Sequence, residues 1–300
     1  MPRLTRFRGA RARGGFTLVE VLVVIAMLAI VGGAIMSLLN RQQRFYRGVN
    51  ETVSVRRELR NGASLLPLEA RSLSTPGGDV LEMQPTAFAF RATMGSSVAC
   101  DLSGSEFFLP PTNLAQHTLT AWYSPPVPGD LLFAFDDVDD AGADDDEWRA
   151  YTISEVGTTT SACASSPLMH ATLDAASLKP RWRVEVDGGG IEPTIVPGTV
   201  LRLTRPVRYS LYPEASGRWY LGYEEQRGGK WSDVEPVSGP YLPTGAGKSG
   251  GLEFAYHDAT GATTTNPKSV ARVAVVLRGG SDLTGMSDSL VFSIGIRNIK

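Results

Sequence analysis

Apolar residues occupy almost every position from 16 to 39, and only Thr17, Glu20 and Ser37 interrupt them. As a helix this run of 24 residues rises ~36 Å, enough to cross a hydrocarbon core of ~30 Å. No proline occurs between Pro2 and Pro67. The pattern therefore predicts one continuous helix from residue 16 to about Leu66, ~75 Å long. Past Leu39 the helix turns amphipathic: Phe45, Val49, Thr52, Leu59, Ala63 and Leu66 recur at three- and four-residue steps, with arginines elsewhere. Arg56 interrupts that stripe, and Gly48 and Gly62 lower helix propensity. The stripe needs an apolar surface, and the expectation is that it packs against the rest of the chain.

From residue 75 onward the period changes from helical to alternating. Residues 87–94, 181–187 and 289–297 alternate apolar and polar positions, as half-buried strands do. Residues 207–212 and 219–224 flank a turn at 214–217 and predict a hairpin; 252–256 and 270–277 predict a second around a polar loop. The expected fold class is α+β: a long N-terminal helix followed by a large antiparallel β-rich head of two sheets or sub-sheets. Four segments result: 1–15, the helix at 16–39, its amphipathic continuation at 40–74, and a head at 75–300.

Charge gives the helix a direction. Arg3, Arg6, Arg8, Arg11 and Arg13 stand in the first fifteen residues without an acid. The positive-inside rule keeps such a segment cytoplasmic and sends the rest across the membrane. Without it the chain carries 24 basic and 31 acidic side chains. That balance does not suggest a nucleic-acid-binding face, and no nucleic-acid partner is expected. Export also bears on the two cysteines, Cys100 and Cys163: unpaired thiols in the cytosol, they favour a disulfide outside it. A secretory signal fits poorly, because the apolar run is long and no A-x-A site ends it. A plain membrane anchor leaves Glu20 unexplained, since a carboxylate in an apolar span is costly and needs a partner.

Arg13-Gly14-Gly15-Phe16-Thr17-Leu18-Val19-Glu20 closely resembles the cleavage and methylation motif of type IV prepilins and type II secretion pseudopilins. The resemblance implies the type IV pilin-like fold. It implies that a prepilin peptidase cuts between Gly15 and Phe16 and N-methylates Phe16, and that Glu20 pairs with the Phe16 amine of a neighbouring subunit. The implied partners are that peptidase, other pilins or pseudopilins, an inner-membrane assembly platform, and membrane lipid before extraction. The implied location is the inner membrane, single-pass, with a periplasmic head, and then a filament. The closing strand ending Ile294-Gly295-Ile296-Arg297-Asn298, and Gly129-Asp130 followed by Trp148, resemble large minor pilins of the pilus-assembly protein W kind. J-type pseudopilins are similar in size. The leading function is thus a minor pilin-like subunit; the alternatives are a minor pseudopilin and a permanently anchored β-rich binding protein.

Other motifs carry less. Residues 136–147 hold eight acids in twelve positions. Asp137-x-Asp139-x-x-Gly142 begins like an EF-hand loop, but Ala141 replaces an oxygen ligand and Trp148 stands where a bidentate glutamate is required. A solvated acidic loop is the expectation, with Asp137, Asp139, Asp144 and Asp145 the weak calcium candidates and no other cofactor. Residues 244–249 end like a phosphate-binding loop, yet Leu242 replaces its first glycine and Gly250-Gly251 follow where a helix is needed. The Gly247-Lys248-Ser249-Gly250-Gly251 pattern lacks the apolar strand that precedes a nucleophile elbow. His117, His170 and His257 are scattered, without zinc-ligand spacing. No enzyme is expected.

Overall fold

The computed structural model describes residues 15, 17–112, 119–137, 147–160, 163, 166, 168, 181–244, 250–280 and 285–297. It divides into two compact units, Met1–Val53 and Ser54–Lys300. Helix α1, Leu18–Ala70, runs through both. In the first unit its apolar side chains are exposed, Leu18 at 80% and Ile30 at 74%, while Glu51 and Thr52 near the end of that unit are half-buried. An 18-residue window there has mean hydropathy 2.7, so the helix is long and apolar enough to cross a membrane.

In the second unit the helix becomes a core element. Leu59, Gly62, Leu66 and Ala70 are buried at three- and four-residue steps. The upper part of the predicted stripe behaves differently, because Phe45 and Val49 are exposed. Burial sets in with Val55, which packs on the core. The helix also outlasts its predicted end at Leu66. Pro67 lies inside it, and Arg71 N donates to Pro67 O at 3.3 Å. Proline removes one backbone donor, while the extra turn buries Ala70 and leads into Leu73, both fully enclosed.

Fifteen strands follow among the described residues. They are β1 (Val80–Met83), β2 (Ala87–Val98), β3 (Asp101–Ser103), β4 (Glu106–Leu109), β5 (Ala121–Trp122), β6 (Leu131–Asp136), β7 (Glu147–Thr159) and β8 (Arg181–Val186). Then come β9 (Val200–Pro213), β10 (Trp219–Arg227), β11 (Lys230–Trp231), β12 (Glu235–Tyr241), β13 (Leu252–His257), β14 (Arg272–Gly280) and β15 (Ser287–Gly295). The larger sheet has the order β1-β2-β9-β6-β7-β8-β4-β3, with β10 beside β9 and β12 beside β10; the smaller is β13-β14-β15. Every described pairing is antiparallel. Both predicted hairpins form, pairing Tyr212 with Tyr220 and Phe254 with Val275. The first closes where Gly217 takes a φ of +79°, a left-handed conformation that glycine adopts without a Cβ clash.

Two apolar clusters fill the head. One joins Leu59 and Leu66 of α1 to Phe88 and Phe90 of β2, Val207 and Tyr209 of β9, and Phe254, Val273 and Leu277 of the smaller sheet. The other gathers Phe107, Leu132, Ile153, Val184, Leu201 and Leu203. Leu201, Leu203, Val207 and Tyr209 alternate along β9 and share a face; Arg205 stands between them, 1% exposed. Its guanidinium is fully engaged. Nε and Nη2 donate to Asp130 at 2.9 and 2.8 Å, Nη1 to Glu225 and Ser124 at 3.0 and 3.2 Å, and Nη2 also to Pro125 O at 3.2 Å.

Candidate functional site at the helix N-terminus

The first unpaired amides of a helix need acceptors, and Thr17 supplies them. Its hydroxyl accepts from Glu20 N at 3.3 Å, and its carbonyl accepts from Glu20 N at 3.1 Å and Val21 N at 3.2 Å. Thr17-Leu18-Val19-Glu20 thus starts the helix and puts Glu20 in its first turn. The positive end of the helix dipole favours an acid at that position. Among the described residues, no hydrogen bond or ion pair reaches the Glu20 carboxylate. It stands in an exposed apolar collar in which Leu18 is 80%, Val19 68% and Leu22 61% exposed.

Gly15 immediately precedes this turn, exposed, with nothing within 4 Å of the place where a Cβ would be. The arrangement presents an exposed carboxylate, without a described partner, in the first turn of an apolar helix. In apolar surroundings a lone carboxylate is costly, and pairing with a cation offsets part of that cost. Phe16 lies outside the described residues, as do the leader arginines, Asp139, Asp144, Asp145, His117, His170 and residues 245–249.

The remaining candidates lie in the head. Cys100 and Cys163 are joined by a disulfide, their Cα atoms 5.3 Å apart. Asp137 follows β6 and is exposed. Among the described residues no three histidine, cysteine or acidic side chains gather as a metal site would require. His257 is bonded within its own loop, to Gly261 O at 3.3 Å.

Two polar centres of the head form only in the fold, although Asp130 of one of them stands in the Gly129-Asp130 pair noted in the sequence. One is the Arg205–Asp130–Glu225 cluster; its available signal was an arginine on the otherwise apolar face of a strand. The other is Glu69, in the last turn of α1, which accepts from Tyr209 Oη at 3.1 Å. Burial pushes its carboxyl above the ordinary range, the Tyr209 bond opposes this, and the charge of Glu225 adds to it. No sequence pattern marked Glu69, because its partners come from β9 and β10.

The long apolar helix and the antiparallel head together give an α+β fold of the pilin-like kind, with one helix long and apolar enough to cross a membrane. Residues 10–36 match the family described as the prokaryotic N-terminal methylation motif, a match that supports a type IV pilin-like protein. Such a motif implies processing by prepilin peptidase and assembly with other pilins, and the apolar helix fits single-pass anchoring in the inner membrane. Comparisons with curated proteins and with solved structures give no match.

Proposed function

We propose that this chain is a minor pilin-like subunit, inserted in the inner membrane with its first fifteen residues cytoplasmic and its head periplasmic. Prepilin peptidase cuts between Gly15 and Phe16 and methylates the new Phe16 amine. The subunit then leaves the bilayer through the assembly platform and enters a type IV pilus filament. Its role is structural, not catalytic. The observation that carries this reading is the Glu20 carboxylate, without a described partner, in the first turn of an apolar helix and five positions after Gly15. An ammonium at Phe16 of a neighbouring subunit offsets the cost of that carboxylate, and because the pair forms in one stagger it sets subunit register. A head of this size repeats poorly along a fibre, which favours a place at the tip or in initiation.

The test is the mass of the N-terminal peptide of the membrane-extracted protein, with the peptidase present and absent. A chain that begins at N-methylated Phe16 only with the peptidase supports a filament subunit. An intact leader under both conditions refutes it and leaves a permanently anchored β protein. Glu20→Ala is expected to be cleaved normally and to lose incorporation into filaments, read by sheared-filament yield.

A further inference from the structure

The far end of the apolar stretch carries a second charged feature. Residues 21–40 contain no charged side chain, and they are bracketed by Glu20 and Arg41. Twenty-one steps of helix separate those two charges, ~31 Å at 1.5 Å per residue, which equals the thickness of a bilayer's hydrocarbon core at ~30 Å. With the helix upright, Glu20 reaches one interface as Arg41 reaches the other.

Arg41 is the first of three. Arg44 and Arg47 follow at three-residue steps, so the guanidiniums cover one side of the helix over a sector about 120° wide. All three are exposed. Among the described residues none of them has a hydrogen bond or an ion pair, and the nearest acid further along the helix is Glu51, one turn beyond Arg47. Phe45 and Tyr46 lie at the same level of the helix, outside the arginine sector, 68% and 63% exposed, with ring centroids 6.1 Å apart. Arginines with amphipathic aromatics at the end of a span are the side chains that anchor at the headgroup layer. Their sign is unexpected, because basic residues are disfavoured on the exported side of a membrane. Guanidiniums stay charged there, and their planar forks fit phosphate oxygens.

We propose that Arg41, Arg44 and Arg47, with Phe45 and Tyr46, form a band that binds anionic phospholipid headgroups of the exported leaflet. The band fixes the depth of the helix and holds Glu20 at the opposite interface, where its partner amine is made. This inference rests on the reading of residues 16–39 as a membrane span. Phospholipid is favoured over an acidic protein surface because the band is continuous with that span and lies one hydrocarbon thickness from Glu20.

The test uses the full chain in nanodiscs of phosphatidylcholine with a minor fraction of phosphatidylglycerol. Electron spin resonance of spin-labelled phosphatidylglycerol and of spin-labelled phosphatidylcholine reads the ratio of their association with the protein. Three proteins are compared: the natural chain, the Arg41→Gln/Arg44→Gln/Arg47→Gln variant, and the corresponding triple lysine variant. The leader arginines are common to all three, so differences report the band. The natural chain is expected to prefer phosphatidylglycerol, the glutamine variant to lose most of that preference, and the lysine variant to retain most of it. Raised salt is expected to narrow the gap. Equal ratios in the natural and glutamine proteins, or no preference in the natural chain, overturn the proposal. The measurement needs no peptidase and no filament, so its failure leaves the cleavage result standing, and an uncut leader leaves it interpretable.

Discussion

Glu20 and Glu69 are carboxylates of one helix in contrasting surroundings. Glu20 is exposed in an apolar collar, and its oddity is visible in the sequence, because any acid inside a long apolar run stands out. Glu69 follows Leu68 in a stretch of mixed polarity and attracts no notice there; only the fold brings Tyr209 and Glu225 to it. Its raised pKa makes a directional prediction. The folded chain holds the Glu69 proton more tightly than the unfolded chain, whose carboxyl titrates near 4.5. Above that pH the folded state binds more protons, so this group's contribution to stability declines as pH rises. Glu69→Gln keeps an acceptor for Tyr209 and removes the titration. Urea midpoints in detergent at about pH 4.5 and 7.5 are expected to show a larger loss for the natural chain than for the variant. Equal losses would exclude Glu69 as a titrating centre. Arg205 teaches the same lesson. The alternation of β9 placed it on an apolar face, but its five donors find Asp130, Glu225, Ser124 and Pro125 only after distant segments meet.

At the scale of elements, helix α1 separates what periodicity can say from what it cannot. Its existence and its apolar first half were legible, since a run that long without proline has no other regular solution in a membrane. Its lower half was read with Gly62 as a weakness. The tertiary structure reverses that judgement. A Cβ at Gly62 would press on the Tyr241 hydroxyl and come to 3.0 Å from Leu277 Cδ1. Tyr241 cannot swing away cheaply, because its hydroxyl bonds Ser238 Oγ at 2.7 Å and Glu58 O at 3.1 Å. Propensity alone favours alanine at this position by about 1 kcal/mol, whereas overpacking a filled contact costs about 1–3 kcal/mol. Gly62→Ala is therefore expected to destabilise the chain, measured by urea unfolding followed by circular dichroism. A raised midpoint would mean that the Tyr241 contact yields. The same reasoning explains why the helix passes through Pro67. One missing hydrogen bond is outweighed by the burial of Ala70 and Leu73, a gain invisible to any local rule.

For the molecule as a whole, the disulfide ties two distant parts of the head together. Cys100 lies between β2 and β3, and Cys163 is 63 positions further on. On the chain-entropy account a closed loop of that length stabilises by about 4 kcal/mol. The Cys100→Ser/Cys163→Ser variant is expected to unfold at a markedly lower urea concentration, and reductant to lower the midpoint of the natural chain alone. A midpoint that ignores reductant would show that the covalent link contributes nothing. The pairing could be anticipated only through topology, from basic leader to exported head to oxidising compartment. By itself the sequence determined the membrane-length helix, the cleavage and methylation motif, the acid at position 20 and the alternating strands with their two local hairpins. All of these rest on neighbours within one or two turns or one hairpin, where spacing alone dictates the outcome. The tertiary structure decided the order of the larger sheet, the division of the core into two clusters, the surroundings of Arg205 and Glu69, and the worth of Gly62. Those depend on contacts between residues far apart in the chain, and only packing to near-solid density selects which of them meet.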